Sequence, residues 1–305
     1  NVLQTDLMEF IRLLDDFIQQ DVQPESDKLD EFHQIIHVLG CNYRSGLDSE
    51  LYLKLLTTIK IILRKKANRQ VLDIFSVKSV IGILHQPRNG VIACEACNVV
   101  LNMCYERKNV DLFIQLEGLE PLGRLLGMPN KELQACACGA VQSICYTNSG
   151  RVAASKVDIC SKVILLIKEN TTVMHEKGTL AVLIRAIGAL HNLTSDLDAI
   201  RAIRTSNCIG HLVRLLDAPS PQICASSAGT IQNVSREPAS RDILISLDAP
   251  DLLSRLLFSS QVQTQACAAG ALLNLCGDES EHRRHLKSAL ADSIALGIAY
   301  HTIFT

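Results

Sequence analysis

The sequence predicts an all-α solenoid, and three observations carry that expectation. A short motif recurs at a nearly fixed interval, apolar residues follow the helical period within each interval, and alternating strand patterns are absent. The motif is small-x-aliphatic-x-Asn-aliphatic. It appears as Asn98-Val-Val-Leu-Asn102-Met, Gly139-Ala-Val-Gln-Ser143-Ile, Gly188-Ala-Leu-His-Asn192-Leu, Gly229-Thr-Ile-Gln-Asn233-Val and Gly270-Ala-Leu-Leu-Asn274-Leu. From Asn102 to Asn274 the steps are 41, 49, 41 and 41 residues. The longer step carries an eight-residue insertion, placed in the polar stretch Lys168-Glu-Asn-Thr-Thr172. A unit of this length cannot bury its apolar face alone, so successive units must stack.

In chain order, the first elements are two helical patterns, Leu3/Leu7/Phe10/Leu14/Phe17 and Leu29/Phe32/Ile36/Leu39, separated by Pro24-Glu-Ser-Asp27. They read as an N-terminal helical capping segment over residues 1–47. Repeats then fill residues 48–305, about six of them with the last incomplete. The first, at roughly residues 48–86, carries Ile61 where the others carry the asparagine. Each unit opens on a short helix with a small-residue run, such as Gln265-Ala-Cys-Ala-Ala269, that continues into the motif. A polar break follows, as at Glu106-Arg-Lys108 and Thr147-Asn-Ser-Gly150. A second amphipathic helix closes the unit: Leu119 to Leu126, Ile209 to Leu216, Pro250 to Leu257. Pro and Gly then punctuate the chain at Met128-Pro129 and Ala218-Pro-Ser-Pro221. One more helix is expected from Glu279.

Composition bounds the function. Thirty basic residues against 32 acidic ones leave a formal charge of −2, which gives no global electrostatic grip on nucleic acid or anionic membrane. No apolar run approaches the ~18–20 residues of a membrane span. The chain begins at Asn1 without Met or a signal-like segment, as a fragment would. Twelve cysteines are too many for an average cytosolic chain, yet Cys94, Cys97, Cys136, Cys138, Cys224 and Cys267 sit in apolar, Ala-rich runs and read as small buried thiols. That places the chain in a reducing, cytoplasmic compartment. Of the N-x-[ST] acceptors Asn170, Asn192 and Asn233, two fall in expected helices, a poor setting for a glycan.

The strings Gly188-Ala-Leu-His-Asn-Leu193 and Gly229-Thr-Ile-Gln-Asn-Val234 resemble the third-helix motif of armadillo repeats of the catenin type, and the resemblance covers roughly residues 48–295. It implies three helices per repeat, a right-handed superhelix, and third helices lining a concave groove where the motif asparagine hydrogen-bonds the backbone of an extended peptide. The nuclear-import adaptors of that family place Trp one turn before the asparagine. Here those positions are Asn98, Gly139, Gly188, Gly229 and Gly270, so a groove for nuclear-localisation signals is not expected.

The residues point the same way without the resemblance. Positions four apart share a helix face, so Gly188 and Asn192 point together, as do Gly229 with Asn233 and Gly270 with Asn274. A carboxamide offers a donor and an acceptor, matching a peptide unit. The expected partner-binding ladder is therefore Asn102, Ser143, Asn192, Asn233 and Asn274, with Ser143 the short rung. Beside it lie Tyr105, Tyr146 and Arg236, three past the motif position, and His191, one before it. The competing reading makes each asparagine a structural residue that caps or bridges helices. The two readings part on substitution: a binding asparagine loses about 0.5–1.5 kcal/mol of affinity with little stability, and a structural one does the reverse.

No Gly-rich phosphate loop, G-x-S-x-G elbow or H-E-x-x-H is present, so neither an enzyme nor a cofactor is expected. Cys94-Glu-Ala-Cys97 lacks the second pair that zinc needs, and Glu281-His-Arg-Arg-His285 reads as a solvated face. Arg64-Lys-Lys66 with Arg69 forms a local basic patch. The expected function is a monomeric, non-enzymatic scaffold binding an extended or helical segment of a partner protein, ciliary or vesicle-associated scaffolds included. The alternative is a regulator of a small GTPase, either an exchange factor or a chaperone, which rests on fold analogy alone.

Overall fold

A computed structural model describes residues 49–276, with Glu9 and Arg12 besides. The expected cap over residues 1–47, the helix from Glu279 and the incomplete last repeat lie outside the described residues. Among the described residues every regular element is helical. The chain divides into two compact units, Asn1–Ile159 and Cys160–Thr305.

The first unit contains α1 (Ser49–Ile62), α2 (Lys66–Gln70), α3 (Ile74–His85), α4 (Gly90–Met103), α5 (Arg107–Gln115), α6 (Leu119–Leu126), α7 (Lys131–Ile144) and α8 (Asn148–Lys156). The body of α9 (Ile159–Thr171) opens the second unit. It continues with α10 (Thr179–Leu193), α11 (Leu197–Thr205), α12 (Ile209–Arg214, extended by a 3₁₀ turn Leu215–Asp217), α13 (Pro221–Val234), α14 (Pro238–Ser246), α15 (Ala249–Leu256) and α16 (Val262–Leu275). Each repeat is thus a triplet of a short first helix, a second helix and a long third helix that carries the motif.

The polar break of the sequence reading is in fact the first helix of a triplet. Arg107–Gln115 is mostly polar, yet it turns Val110 and Phe113 inward to full burial. A nine-residue helix with so few apolar side chains is held by packing rather than propensity. The insertion falls where the polar stretch placed it: the second helix of that repeat runs thirteen residues, against eight in α6, before the turn to Gly178. Asn170 and Thr171 near its end are buried and turn their side chains back onto the Leu166 and Ile167 carbonyls.

Turn chemistry repeats with the period. The residue between first and second helix has a left-handed backbone at Glu117, Asp158, Asn207 and Asp248, with φ of 58°, 55°, 59° and 56°. Following it, Gly118 N–H reaches back to the Phe113 carbonyl and Cys208 N–H to that of Ile203, the six-residue closure of a Schellman end. Asn and Asp tolerate this conformation and Glu does so poorly. Glu117→Gly is therefore expected to stabilise the chain by about 0.5–1 kcal/mol, read as a higher denaturation midpoint.

Third helices stack on third helices. Within the first unit α1 packs on α4 and α4 on α7; within the second, α10 packs on α13 and α13 on α16. Small residues permit this approach. A Cβ at Gly229 would come within 2.6 Å of His191 Cε1, and one at Gly270 within 2.2 Å of Gln232 Nε2. The glycine of each motif there is the seat for the residue just before the motif asparagine of the preceding repeat.

Candidate partner-binding face

The last turn of each third helix tightens, and that event builds the site. In α4 the Cys104 N–H bonds the Val100 carbonyl four residues back, but the next N–H, of Tyr105, bonds Asn102 three back. The switch skips the Leu101 carbonyl. It recurs at Lys60 in α1, His191 in α10 and Gln232 in α13. A skipped carbonyl needs a donor from elsewhere.

The motif residue of the following repeat supplies it. Asn102 Nδ2 donates to Lys60 O at 2.8 Å, and Ser143 Oγ to Leu101 O at 2.8 Å. Asn233 Nδ2 donates to His191 O at 3.3 Å and to Thr194 Oγ1 at 3.1 Å. Asn274 Nδ2 donates to Gln232 O and to Ser235 Oγ, both at 3.1 Å. Because the partners are carbonyls, nitrogen must be the atom that faces them. The amide nitrogen therefore makes the structural bond required by the second reading of the ladder. Among the described residues no group bonds the Oδ1 of Asn102, Asn233 or Asn274, which leaves the acceptor half of each half-buried carboxamide open there. Ser143 is buried, with its hydroxyl used within the stack. Asn192 holds the equivalent, half-buried position on α10.

Tyr105 and Tyr146 stand just past the ends of α4 and α7, 64% and 80% exposed. Neither ring is packed beneath the next helix. The Arg69 guanidinium lies 5.7 Å from the Tyr105 ring centre. Along α4, Glu95, Asn98, Asn102 and Tyr105 form one accessible stripe, and Lys60 reaches Glu95 across repeats at 2.6 Å. In the second unit Arg236 lies exposed across two third-helix ends, donating to Thr194 O at 2.7 Å, Ser195 O at 3.2 Å and its own repeat's Asn233 O at 3.2 Å.

His191 is half-buried with its ring against Gly229, and its Nδ1 is enclosed with no hydrogen-bond partner among the described residues. Burial pushes its pKa below the ordinary imidazole value, the Gly229 backbone opposing weakly. Unfolded, the ring takes up its proton near pH 6.5; folded, it resists until lower pH. The unfolded state binds more protons in that window, so stability is complete above about pH 6.5 and falls as pH drops toward the folded pKa. Denaturation midpoints from pH 7.5 to 5 should decline, and His191→Gln should flatten part of the slope. His211, pushed down by burial and by the Arg214 and Lys168 charges, contributes in the same direction.

Sequence reasoning missed a second set of staples. Asn68 Nδ2 bonds Ile62 O at 2.9 Å, and Asn109 Nδ2 bonds Met103 O at 3.0 Å and Arg69 O at 2.8 Å, closing first helices onto third-helix ends. Their 41-residue spacing was the available signal. Arg204 and Glu237 also form a two-pronged bridge between repeats at 2.8 and 3.2 Å. Among the described residues no group of three His, Cys, Asp or Glu could hold a metal ion, and no helix is long and apolar enough to cross a membrane.

Residues 198–236, one triplet from α11 to α13, match the Armadillo/beta-catenin-like repeat family. No curated protein matches the chain in sequence. Among solved structures, an engineered protein superposes with a TM-score of 0.70 at 19% identity, covering 80% of this chain and 98% of its own. A designed armadillo repeat protein gives 0.69 at 18% identity, covering 79% and 98%. Another, in complex with the peptide (KR)4, gives 0.66 at 19% identity, covering 79% and 98%. Triplets recurring at the repeat interval and the fold shared with those designs give the described chain an armadillo-repeat fold, and one of its triplets matches the repeat's own family model.

Proposed function

We propose that the third-helix faces dock an extended segment of a partner protein, and that the chain acts as a non-enzymatic scaffold. The observation that carries this reading is the division of labour in the motif carboxamides. Their nitrogens are held by the preceding repeat, so the open Oδ1 atoms of Asn102, Asn233 and Asn274 are fixed in place to accept backbone N–H groups. A pre-positioned acceptor loses little entropy on binding. Tyr105 and Tyr146 add large, rigid surface beside it, and Arg236 and the half-buried edge of His191 border the corresponding face of the second unit. Ser143 and Asn192 complete the set as the motif residues of their repeats. The peptide-bound design supports the mode by analogy of fold. The chain works as a monomer in a reducing compartment such as the cytoplasm, with protein rather than nucleic acid as partner, in keeping with its near-zero net charge.

The test is selection of binding peptides from a random library on the full chain, followed by titration against the double variant Tyr105→Ala, Tyr146→Ala. Affinity should fall roughly tenfold or more, about 1.4 kcal/mol. Stability should stay within about 0.5 kcal/mol, because both rings are exposed. Undiminished affinity in the double variant would remove these residues from the site.

A further inference from the structure

Helices α4 and α7 run parallel and in register. Ser143 bonds Leu101 at an offset of 42 residues, and two turns earlier Cys94 and Cys136 stand at the same offset on the packed helices, near enough for each to shift the other's titration. Cys94 is only 6% exposed, whereas Cys136 is half-buried and reachable. Cys136 also lies seven residues before Ser143, on the side of α7 that carries the motif. The neighbouring Cys97 and Cys138 face inward and are fully buried. The four cysteines thus divide into an inner pair closed to solvent and an outer pair, facing each other in register across two repeats, with one member accessible.

We propose that Cys94 and Cys136 are a peroxide-responsive dithiol that closes into a disulfide between the third helices of adjacent repeats. The oxidant is hydrogen peroxide or an organic hydroperoxide. The Cys136 thiolate attacks one peroxide oxygen; the O–O bond breaks, and hydroxide or alkoxide leaves to be protonated. Cys136 becomes a sulfenic acid. Cys94 Sγ then attacks the Cys136 sulfur, the S–O bond breaks, and the departing hydroxide takes the Cys94 proton as water. The two sulfurs together lose two electrons, and hydrogen peroxide is reduced to two waters.

The order of events follows from the surroundings. Cys136 is the member that solvent reaches, so it meets the peroxide first, and the neighbouring Cys94 thiol and Asn98 side chain favour its anion against burial and the Glu132 and Glu95 carboxylates. Cys94 is closed to solvent and pushed up by its Cys136 neighbour and by burial, so it is the resolving thiol. Cys97, Cys104 and Cys138 are pushed up by burial, Cys138 to about 12, and do not compete. The cross-link ties two repeats that otherwise meet through side-chain packing and single hydrogen bonds. It also fixes α4, with Asn98 and Asn102, against α7.

The test treats the reduced, folded full chain with a small excess of hydrogen peroxide. Thiols titrated in denaturant should fall from twelve to ten, intact mass should fall by two hydrogens, and a non-reducing digest should join the peptides carrying Cys94 and Cys136. Unfolding of the oxidised chain should shift to higher temperature and return on reduction. C94S and C136S should each abolish the link; C97S and C138S should keep it. Because a variant can fail for lack of folding, a second measurement uses the wild type: one equivalent of iodoacetamide should alkylate Cys136 first and block the link. Retention of all twelve thiols, oxidation of Cys136 to sulfinic acid without a link, a link that survives in C94S or C136S, or first alkylation elsewhere would each overturn the proposal.

Discussion

Gly150→Val is expected to unfold the first unit or to destabilise it by at least about 3 kcal/mol, and Gly150→Ala by nearly as much. Gly150 sits in the first turn of α8, where its N–H bonds the Thr147 cap at 3.0 Å. A Cβ there would lie 1.9 Å from the Ile144 carbonyl oxygen and 2.7 Å from its carbon. Both are backbone atoms in the last turn of α7, so no side chain can swing away. Relief requires α8 to move off α7, which would open the packing of Ala154 and the α7 end. Gly127→Ala is the matched comparison. Its Cβ would meet only the Arg124 oxygen at 3.5 Å, and its backbone is right-handed, so it should be neutral or stabilising by about 0.5 kcal/mol. Equilibrium denaturation should show a large loss of stability for Gly150→Ala and no loss for Gly127→Ala. Equal, small effects would mean that α7 and α8 are not held at the spacing described.

Asn102→Ala should destabilise the chain by about 1–3 kcal/mol. Its nitrogen is the donor to Lys60 O, the carbonyl skipped by α1, and its loss leaves that acceptor to whatever water can reach it. Asn274→Ala should have the smaller effect, about 1 kcal/mol, because Gln232 O also accepts from the Ser235 hydroxyl at 2.9 Å. Asn102→Asp is the sharper probe. It keeps shape and acceptors but turns an oxygen toward a carbonyl oxygen, so it should melt at least as early as the alanine variant. If Asn102→Asp melts with the wild type, the amide nitrogen is not the staple.

The repeat interval, two helices of each unit and the motif were legible in the sequence because apolar spacing and small-residue runs survive repetition; the remaining helix of the triplet came only from the family resemblance. Arg107–Gln115 was not legible as a helix by pattern, since only two of its side chains are fully buried apolar groups and its charges resemble a turn. The motif positions were legible as a face, but the double use of each carboxamide was not. It depends on where a helix changes from four-residue to three-residue hydrogen bonding, which no residue type marks. The pairing register was also hidden. Sequence-equivalent residues are 41 apart, whereas bonded residues on adjacent third helices are 42 apart, as Asn102 with Lys60 and Asn274 with Gln232. That single-residue offset is why Cys94 meets Cys136, although sequence alignment of the repeats sets Cys94 against Ala135.

Site-specific photo-crosslinking most directly tests whether the third-helix face is where a partner docks. p-Benzoylphenylalanine would replace Tyr146 in one full-length sample and Phe258, the 82% exposed residue just past α15, in another. Each would be irradiated with a peptide selected on the wild-type chain. The account predicts a cross-link from position 146, suppressed by excess unlabelled peptide, and none above background from position 258. Capture at 258 with none at 146 would contradict it and move the docking surface to the second helices.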